Sequence, residues 1–375
     1  MNAVRQGTYM ATNKNQHFVP KAHLKPFSLD QAGAAINVFN LDSGKAIPRA
    51  PVKSQCSRDY FYGRDEQLEK AIQFVEGSYA LCVASLADGA DRVLPGHEVV
   101  LRRFAYLQHV RTEAAARRSA EFAFAMSSVK GSDIEQPPFR DALYAAVIDA
   151  MRHYAESMEI VDDLKVRVVR NRTNRPFITS DDPAILANRW HQRDARTTDR
   201  SFGIGSAGAI LFLPLTPSLL ALLFDGDVYS AEHVGGWVDV TSTDDVDACN
   251  LHQALNCVAN LYFGREDDGP YLAGLSEQMI DRRPKERFVL HKAVLDGGSE
   301  THKRYAIVDD PDIREHKEVL LHIQSIRPVP PTWPRFLKFR AGGVVFTNDT
   351  GAGFRRRSRA FSEWGDAPPW RKVRA

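Results

Sequence analysis

Through the middle of the chain, apolar residues recur every three or four positions, the period of a helix that buries one face. Leu68, Ile72, Val75, Tyr79, Cys82 and Leu86 predict a helix over about 65–88. A second is predicted over 97–129, favoured by Ala114-Ala115-Ala116. A third is predicted over 139–158, where Phe139, Leu143, Val147, Met151, Tyr154 and Met158 follow the start signal Pro137-Pro138. Ahead of these helices, Pro20 holds Val19 extended and opens a short helical turn over 21–27. Ile36–Phe39, the turn residues Asp42-Ser43-Gly44 and a run to Ile47 predict a β-hairpin.

After Ile160 the period changes to two. Leu164, Val166 and Val168 predict a strand, and Phe177-Ile178-Thr179 predicts another, stopped by Ser180-Asp181-Asp182-Pro183. Apolar runs over 209–213 and 219–224 flank Pro214-Leu215-Thr216-Pro217, and a helix over 244–262 starts from Ser242 or Thr243. Hairpin, three-helix middle segment, mixed mostly antiparallel sheet and a further packed helix are segregated along the chain, so the expected class is α+β. The expected organisation is a loose stretch over 1–15, a main domain over 16–268, charged elements packed on it over 269–334 and a basic tail over 335–375.

Composition sharpens this picture in two places. The net charge is only +2, with 49 Lys and Arg against 47 Asp and Glu, so no whole-surface field selects nucleic acid or membrane. From Arg335 onward, however, ten basic residues face three acidic ones. The four cysteines form no C-x-x-C pair and no Cys/His cluster, so zinc and disulfide frameworks lack support. No secretory signal or spanning segment is visible, and a soluble cytoplasmic protein with no membrane partner is expected.

Two literal motif matches fail on context. Gly203-x-Gly205-x-x-Gly208 should follow a strand and open a helix if it held a dinucleotide, whereas here a strand follows it. His23-x-Lys25-x(4)-Asp30 matches a phosphodiesterase signature, but it occurs once and is built from common residue types. H-E-x-x-H, G-x-S-x-G and G-x-x-x-x-G-K-[ST] are absent.

A scattered polar set carries the chemical expectation. Glu76 shares the inner helix edge with Ile72 and Tyr79, and Gln108 and Arg111 continue the line of Leu101 and Phe104. Asp181 and Ser180 end a strand at a turn, and His17 sits in a segment stiffened by Pro20. Singly, each has a structural reading as a buried ion pair, a cap or a satisfied core histidine. Together, a His, two carboxylates, an Arg and a Gln are a costly way to build a core.

Gln16-His17-Phe18-Val19-Pro20, Arg58-Asp59-x-Phe61-Tyr62, Glu76, Gln108-x-x-Arg111-Thr112, Thr179-Ser180-Asp181-x-Pro183, Pro214-Leu215-x-Pro217 and Asn256 resemble the bacterial domain-of-unknown-function family 4238 over about 15–265. The chain departs from that pattern at Asp182, where Asn or His is expected, and at Glu113, where Pro often follows Arg-Thr. The resemblance implies a bacterial or phage-associated soluble protein and supplies no reaction. By analogy such families often sit in defence or mobile-element neighbourhoods.

The first reading is therefore a hydrolase or nuclease-like enzyme acting on a phosphodiester. In it His17 is general base or metal ligand, Glu76 and Asp181 hold Mg²⁺ or orient water, Arg111 neutralises phosphate and Gln108 positions substrate, with Ser180 beside Asp181 in the same catalytic set. Arg355, Arg356, Arg357 and Arg359 would contact nucleic acid. The second reading is a non-enzymatic module that binds nucleic acid or a small anionic, phosphorylated ligand.

Overall fold

A computed structural model describes residues 14–129, 138–198, 200–298, 303–309, 316, 318–349, 353–361 and 370–375. Its N-terminal segment follows the expected punctuation. Strand β1 (Asn15–His17) leads to Pro20, which opens α1 (Lys21–Leu24), and a 3₁₀ turn continues to Phe27. The hairpin forms between β2 (Ala35–Asn40) and β3 (Lys45–Pro51), with Gly44 at φ +63° supplying the left-handed turn residue. Strand β4 (Ser57–Asp59) then pairs antiparallel with β1.

Among the described residues four helices, not three, fill the middle. Asp65 caps α2 (Glu66–Ala87) by accepting the amides of Gln67 and Leu68. The long helix expected over 97–129 is broken into α3 (Pro95–Arg111) and α4 (Glu113–Val129) at Thr112, which is extended at ψ 158°. Its Oγ1 accepts the Ala115 amide, at 3.1 Å, as an N-cap does, and donates to Asp182 Oδ1 at 2.9 Å. A tertiary contact therefore ends a pattern that local propensity would have continued. The last of the four is α5 (Phe139–Ser157).

The main sheet combines β5 (Lys165–Asn171), β7 (Ile185–Ala187), β8 (Ile210–Thr216), β9 (Leu219–Phe224) and β11 (Trp237–Val240), in the order β11-β5-β9-β8-β7. All its pairings are antiparallel except β11 with β5. Strands β8 and β9 are buried along their whole length because both sheet faces are covered. Leu211, Leu213, Ala221 and Leu223 pack with Leu101, Phe104 and Met151 of the helical layer. Ile210, Phe212, Leu220 and Leu222 pack instead with Val246, Cys249 and residues of the C-terminal segment, Leu337 and Val345. The period of two thus sorts one strand into two cores.

Helix α6 (Thr243–Asn256) ends six residues before the expected limit, and Asn260–Phe263 becomes strand β12. This strand joins β3, β2 and β6 (Thr179–Ser180) in a four-stranded sheet of order β3-β2-β12-β6. Cys257 is the helix's extended C-cap rather than part of it, and all four cysteines are free and buried. Beyond Gly264 the chain is more regular than its charge suggests. Helix α7 (Gly269–Met279) precedes a sheet of β13 (Phe288–Gly298), β14 (Lys303–Val308) and β15 (Val319–Ser325). Further on, β16 (Lys338–Phe339) pairs with β10 (Tyr229–Ser230), and β17 (Val344–Thr347) pairs with β18 (Phe354–Arg355) and β19 (Arg371–Arg374). The described part of 335–375 is therefore docked on the sheet, partly through its aromatic residues.

Candidate functional site

Four of the residues singled out in the sequence converge at the end of α3. Arg111 is fully buried, and its Nη1 lies 2.8 Å from Glu76 Oε1 on α2. That contact is a close charge pair rather than a well-aligned hydrogen bond, and Nη2 has no acceptor among the described residues. Arg111 Nε donates to Gln108 Oε1 at 3.2 Å, and Gln108 Nε2 donates to the Phe18 carbonyl at 2.8 Å, tying α3 to the segment that carries His17. Burial opposes the charge of Arg111, but Tyr62 and Glu76 outweigh it and hold its pKa above the usual value. Half-buried His17 is depressed to about 4, first by burial, then by Lys21, and by Arg111 as well. Gln16 fixes the strand beneath: its Oε1 accepts the Tyr62 amide at 2.6 Å and its Nε2 donates to Gly63 O at 3.0 Å.

Ser180 and Asp181 face elsewhere. Asp181 accepts the amides of Val258, Ala259 and Asn260 at 2.8, 2.9 and 2.9 Å, and so shapes the turn from α6 into β12. Arg283 grips the same turn from its carbonyl side, donating to Ala254, Cys257 and Val258. Burial raises Asp181 to about 6, and the three amides pull the other way. Ser180 Oγ donates to Gln253 Oε1 at 2.6 Å. Glu76 is thus committed to Arg111 and Asp181 to backbone amides, so the pair expected to hold Mg²⁺ presents no shared ligand set. Among the described residues no group of three His, Cys, Asp or Glu side chains is placed to hold a metal ion.

The two discounted motifs are scaffold. His23 is buried with one ring nitrogen 2.8 Å from Tyr79 Oη and the other 2.8 Å from Thr179 Oγ1. Gly208, at φ +72°, lies where a Cβ would sit 2.6 Å from Asn188 Oδ1, so its glycine serves a tight turn into β8.

The arginines of 355–359 occupy four different settings. Arg356 is buried against Asp163 at 3.0 Å and the carbonyls of Ile204 and Ile160, out of reach of a phosphate. Arg357 pairs with Asp227 at 3.1 Å, Arg355 lies over the Trp370 ring, and half-buried Arg359 sits at the end of α8 (Arg357–Ala360).

A larger feature opens on the other side of the α3–α4 break. A cleft of about 940 Å³ is walled by alanines of α4 and α5, among them Ala120, Ala123, Ala142 and Ala146. Arg118, Arg287, Arg327, His109, His153, Asp149, Asp182 and Asn256 also line it. Its carboxylates are engaged: Asp182 accepts Arg118 at 2.9 Å and the Thr112 hydroxyl, and Asp149 meets Arg152 at 3.1 Å. Arg327 Nε is buried without an acceptor among the described residues, and burial together with Arg118 lowers its pKa to about 10. His109 is depressed to about 4 by burial, then by Arg327 and Arg118. Its Nδ1 lies 3.2 Å from the Ala184 carbonyl, which only accepts, so Nδ1 carries the proton and Nε2 the lone pair.

Sequence reasoning singled out none of these arginines. Arg117-Arg118 reads as a solvated helix face, and Arg287 and Arg327 lie where the periodicity fades. Asp182 stood out only as a departure from a motif, although its position beside Thr112 in space is what joins the two halves of the site.

No curated protein and no solved structure matches the chain. Among the described residues no helix is long and apolar enough to cross a membrane. The family profile described as protein of unknown function, DUF4238, matches residues 15–267, and this span holds the His17–Arg111 cluster, the Ser180-Asp181 turn and one wall of the cleft. The chain belongs to the DUF4238 family.

Proposed function

We propose that the protein binds a phosphorylated small molecule in the cleft between α4, α5 and the Arg287–Arg327 side. One observation carries this reading: three guanidiniums converge on a pocket whose carboxylates are already engaged. Like charges held together this way repel, and an anion placed among them relieves the repulsion and gives Arg327 an acceptor. The alanine walls suit an apolar or flat group attached to the phosphate, and the volume lies in the range of ordinary small-molecule sites.

Hydrolysis of a phosphodiester is the second reading, and His109 favours it. The imidazole is held in one tautomer with Nε2 as its only lone pair, the arrangement a general base needs. At a pKa of about 4 it is a weak base, so the ligand's own charge must first offset Arg118 and Arg327.

Calorimetric titration with inorganic phosphate and with a nucleoside 5′-monophosphate tests the binding reading. A charged hydrogen bond contributes about 1.5–3 kcal/mol, so Arg327→Gln should weaken binding roughly 10- to 100-fold. Unchanged affinity in that variant, or no heat from either ligand at millimolar concentration, overturns it. Release of nitrophenolate from bis(p-nitrophenyl) phosphate, lost in His109→Gln, separates hydrolysis from binding alone.

A further inference from the structure

A second cationic groove lies where the C-terminal segment, outside the family match, docks on the sheet. β16 pairs with β10, and the junction leaves a groove of about 450 Å³ lined by Arg193, Phe339, Arg340, Gly342, Gly343 and Arg374, with Trp190 and Asp194. Its one aspartate is engaged, since Asp194 holds Arg196 at 2.5 Å. Arg193, Arg340 and Arg374 have no carboxylate partner among the described residues. Arg340 donates to the Gly226 carbonyl at 2.6 Å, which fixes its position without neutralising it.

The aromatic component is as specific as the charge. Phe339, 38% exposed, has Arg189 at 5.1 Å and Arg193 at 5.6 Å from its ring centroid, and Tyr229 at 5.4 Å behind it. A guanidinium ordered on a ring presents a flat cationic face, on which a nucleobase stacks while the charge meets the adjoining phosphate. The band continues past the groove. Arg196 donates to the Arg374 carbonyl at 2.9 Å, and next to it a smaller pocket of about 240 Å³ is lined by Arg196, Arg200 and Arg371, with Asp349 held by Arg371.

We infer that this groove binds single-stranded nucleic acid, with Arg193, Arg340 and Arg374 on successive phosphates and the Arg193–Phe339 pair as the stacking platform. A membrane surface would match the charge but would make no use of a recessed platform. A duplex would offer its bases only within the stack.

The test is fluorescence anisotropy of the full chain with labelled oligothymidylate and oligouridylate across a salt series. Wild type should bind with affinity that falls as salt rises. In Arg193→Gln with Arg374→Gln, affinity should drop by roughly tenfold or more, and the log–log salt slope should lose about 0.7 for each phosphate contact removed. Arg304→Gln, on distant β14, should leave both unchanged. If the double variant melts early, Arg374→Gln alone carries the test, because its side chain has no partner among the described residues. No binding by wild type at low salt, an unchanged slope in the variant, or preference for phosphatidylserine vesicles over oligonucleotide overturns the proposal. Phosphate binding in the alanine-walled cleft should weaken in Arg327→Gln and stay unchanged in Arg374→Gln, so the two sites fail separately.

Discussion

Buried Asp181 and half-buried Glu76 hold different parts of the fold, and substitution should separate them. Asp181 satisfies three backbone amides, and each buried donor left without an acceptor costs about 1–3 kcal/mol. Asp181→Ala should therefore destabilise the protein by several kcal/mol in urea denaturation, whatever it does to ligand binding; a near-native midpoint contradicts this assignment. Glu76 is the half-buried partner of fully buried Arg111, and its loss should cost about 3 kcal/mol, the low end for a buried pair, because an uncompensated buried guanidinium remains. Arg118, with a side chain 31% exposed, is the ion partner of buried Asp182. Arg118→Gln should lower the melting temperature, less than loss of Glu76 because the Thr112 hydroxyl still donates to Asp182, and should reduce anion affinity. The cluster of Glu76, Gln108 and Arg111 was legible because apolar periodicity fixes which side of a helix faces inward, and a polar residue there stands out. The cleft was not legible, because its arginines come from segments whose proximity exists only after folding.

At the level of elements, the long periodic helices and the short hairpin were readable from spacing and turn residues. The misread boundaries share one cause. Thr112 and Cys257 sit in stretches where helical propensity continues, yet each ends a helix because a distant group binds it or its neighbours: Asp182 at Thr112, and Asp181 with Arg283 after Cys257. The Thr112 hydroxyl both caps α4 and fixes Asp182. Thr112→Val should cost about 1–2 kcal/mol and loosen the cleft, while Thr112→Ser, which keeps both bonds, should restore most of that stability. Equal melting temperatures for the two variants would show that the cap contributes nothing.

For the whole molecule, the C-terminal segment supplies part of the second core through Leu337 and Val345 and anchors itself with buried Arg356 on Asp163. Charge alone made it read as a tail, because its short strands have too few residues to show a period. The buried histidines set the acid limit of the fold. His17 and His109 fall to about 4, and His23 and His252 to about 3, from an ordinary 6.5. The unfolded chain then protonates first, so the stability these groups contribute is complete above about pH 6.5 and is lost as pH falls through 4. Asp181 and Asp225, raised to about 6, act in the opposite sense: their contribution is complete below pH 3.8 and is lost as pH rises through 6. Four larger shifts outweigh two smaller ones, so the melting temperature should fall on acidification from pH 7 to 4. A flat or rising profile would contradict this balance.

The central claim is that an anion sits among Arg118, Arg287 and Arg327, next to His109. The most direct measurement is the NMR titration of the His109 imidazole, assigned with His109→Gln, in the absence and presence of a saturating nucleoside 5′-monophosphate. The groups facing that ring from neighbouring elements are Arg118, Arg327 and Asp182; burial depresses its pKa most, and a bound phosphate offsets the two arginines that add to it. The account predicts that the pKa of His109 rises from about 4 toward the ordinary histidine value when ligand binds. Ligand that binds while the His109 titration stays in place would locate the anion elsewhere and contradict the account.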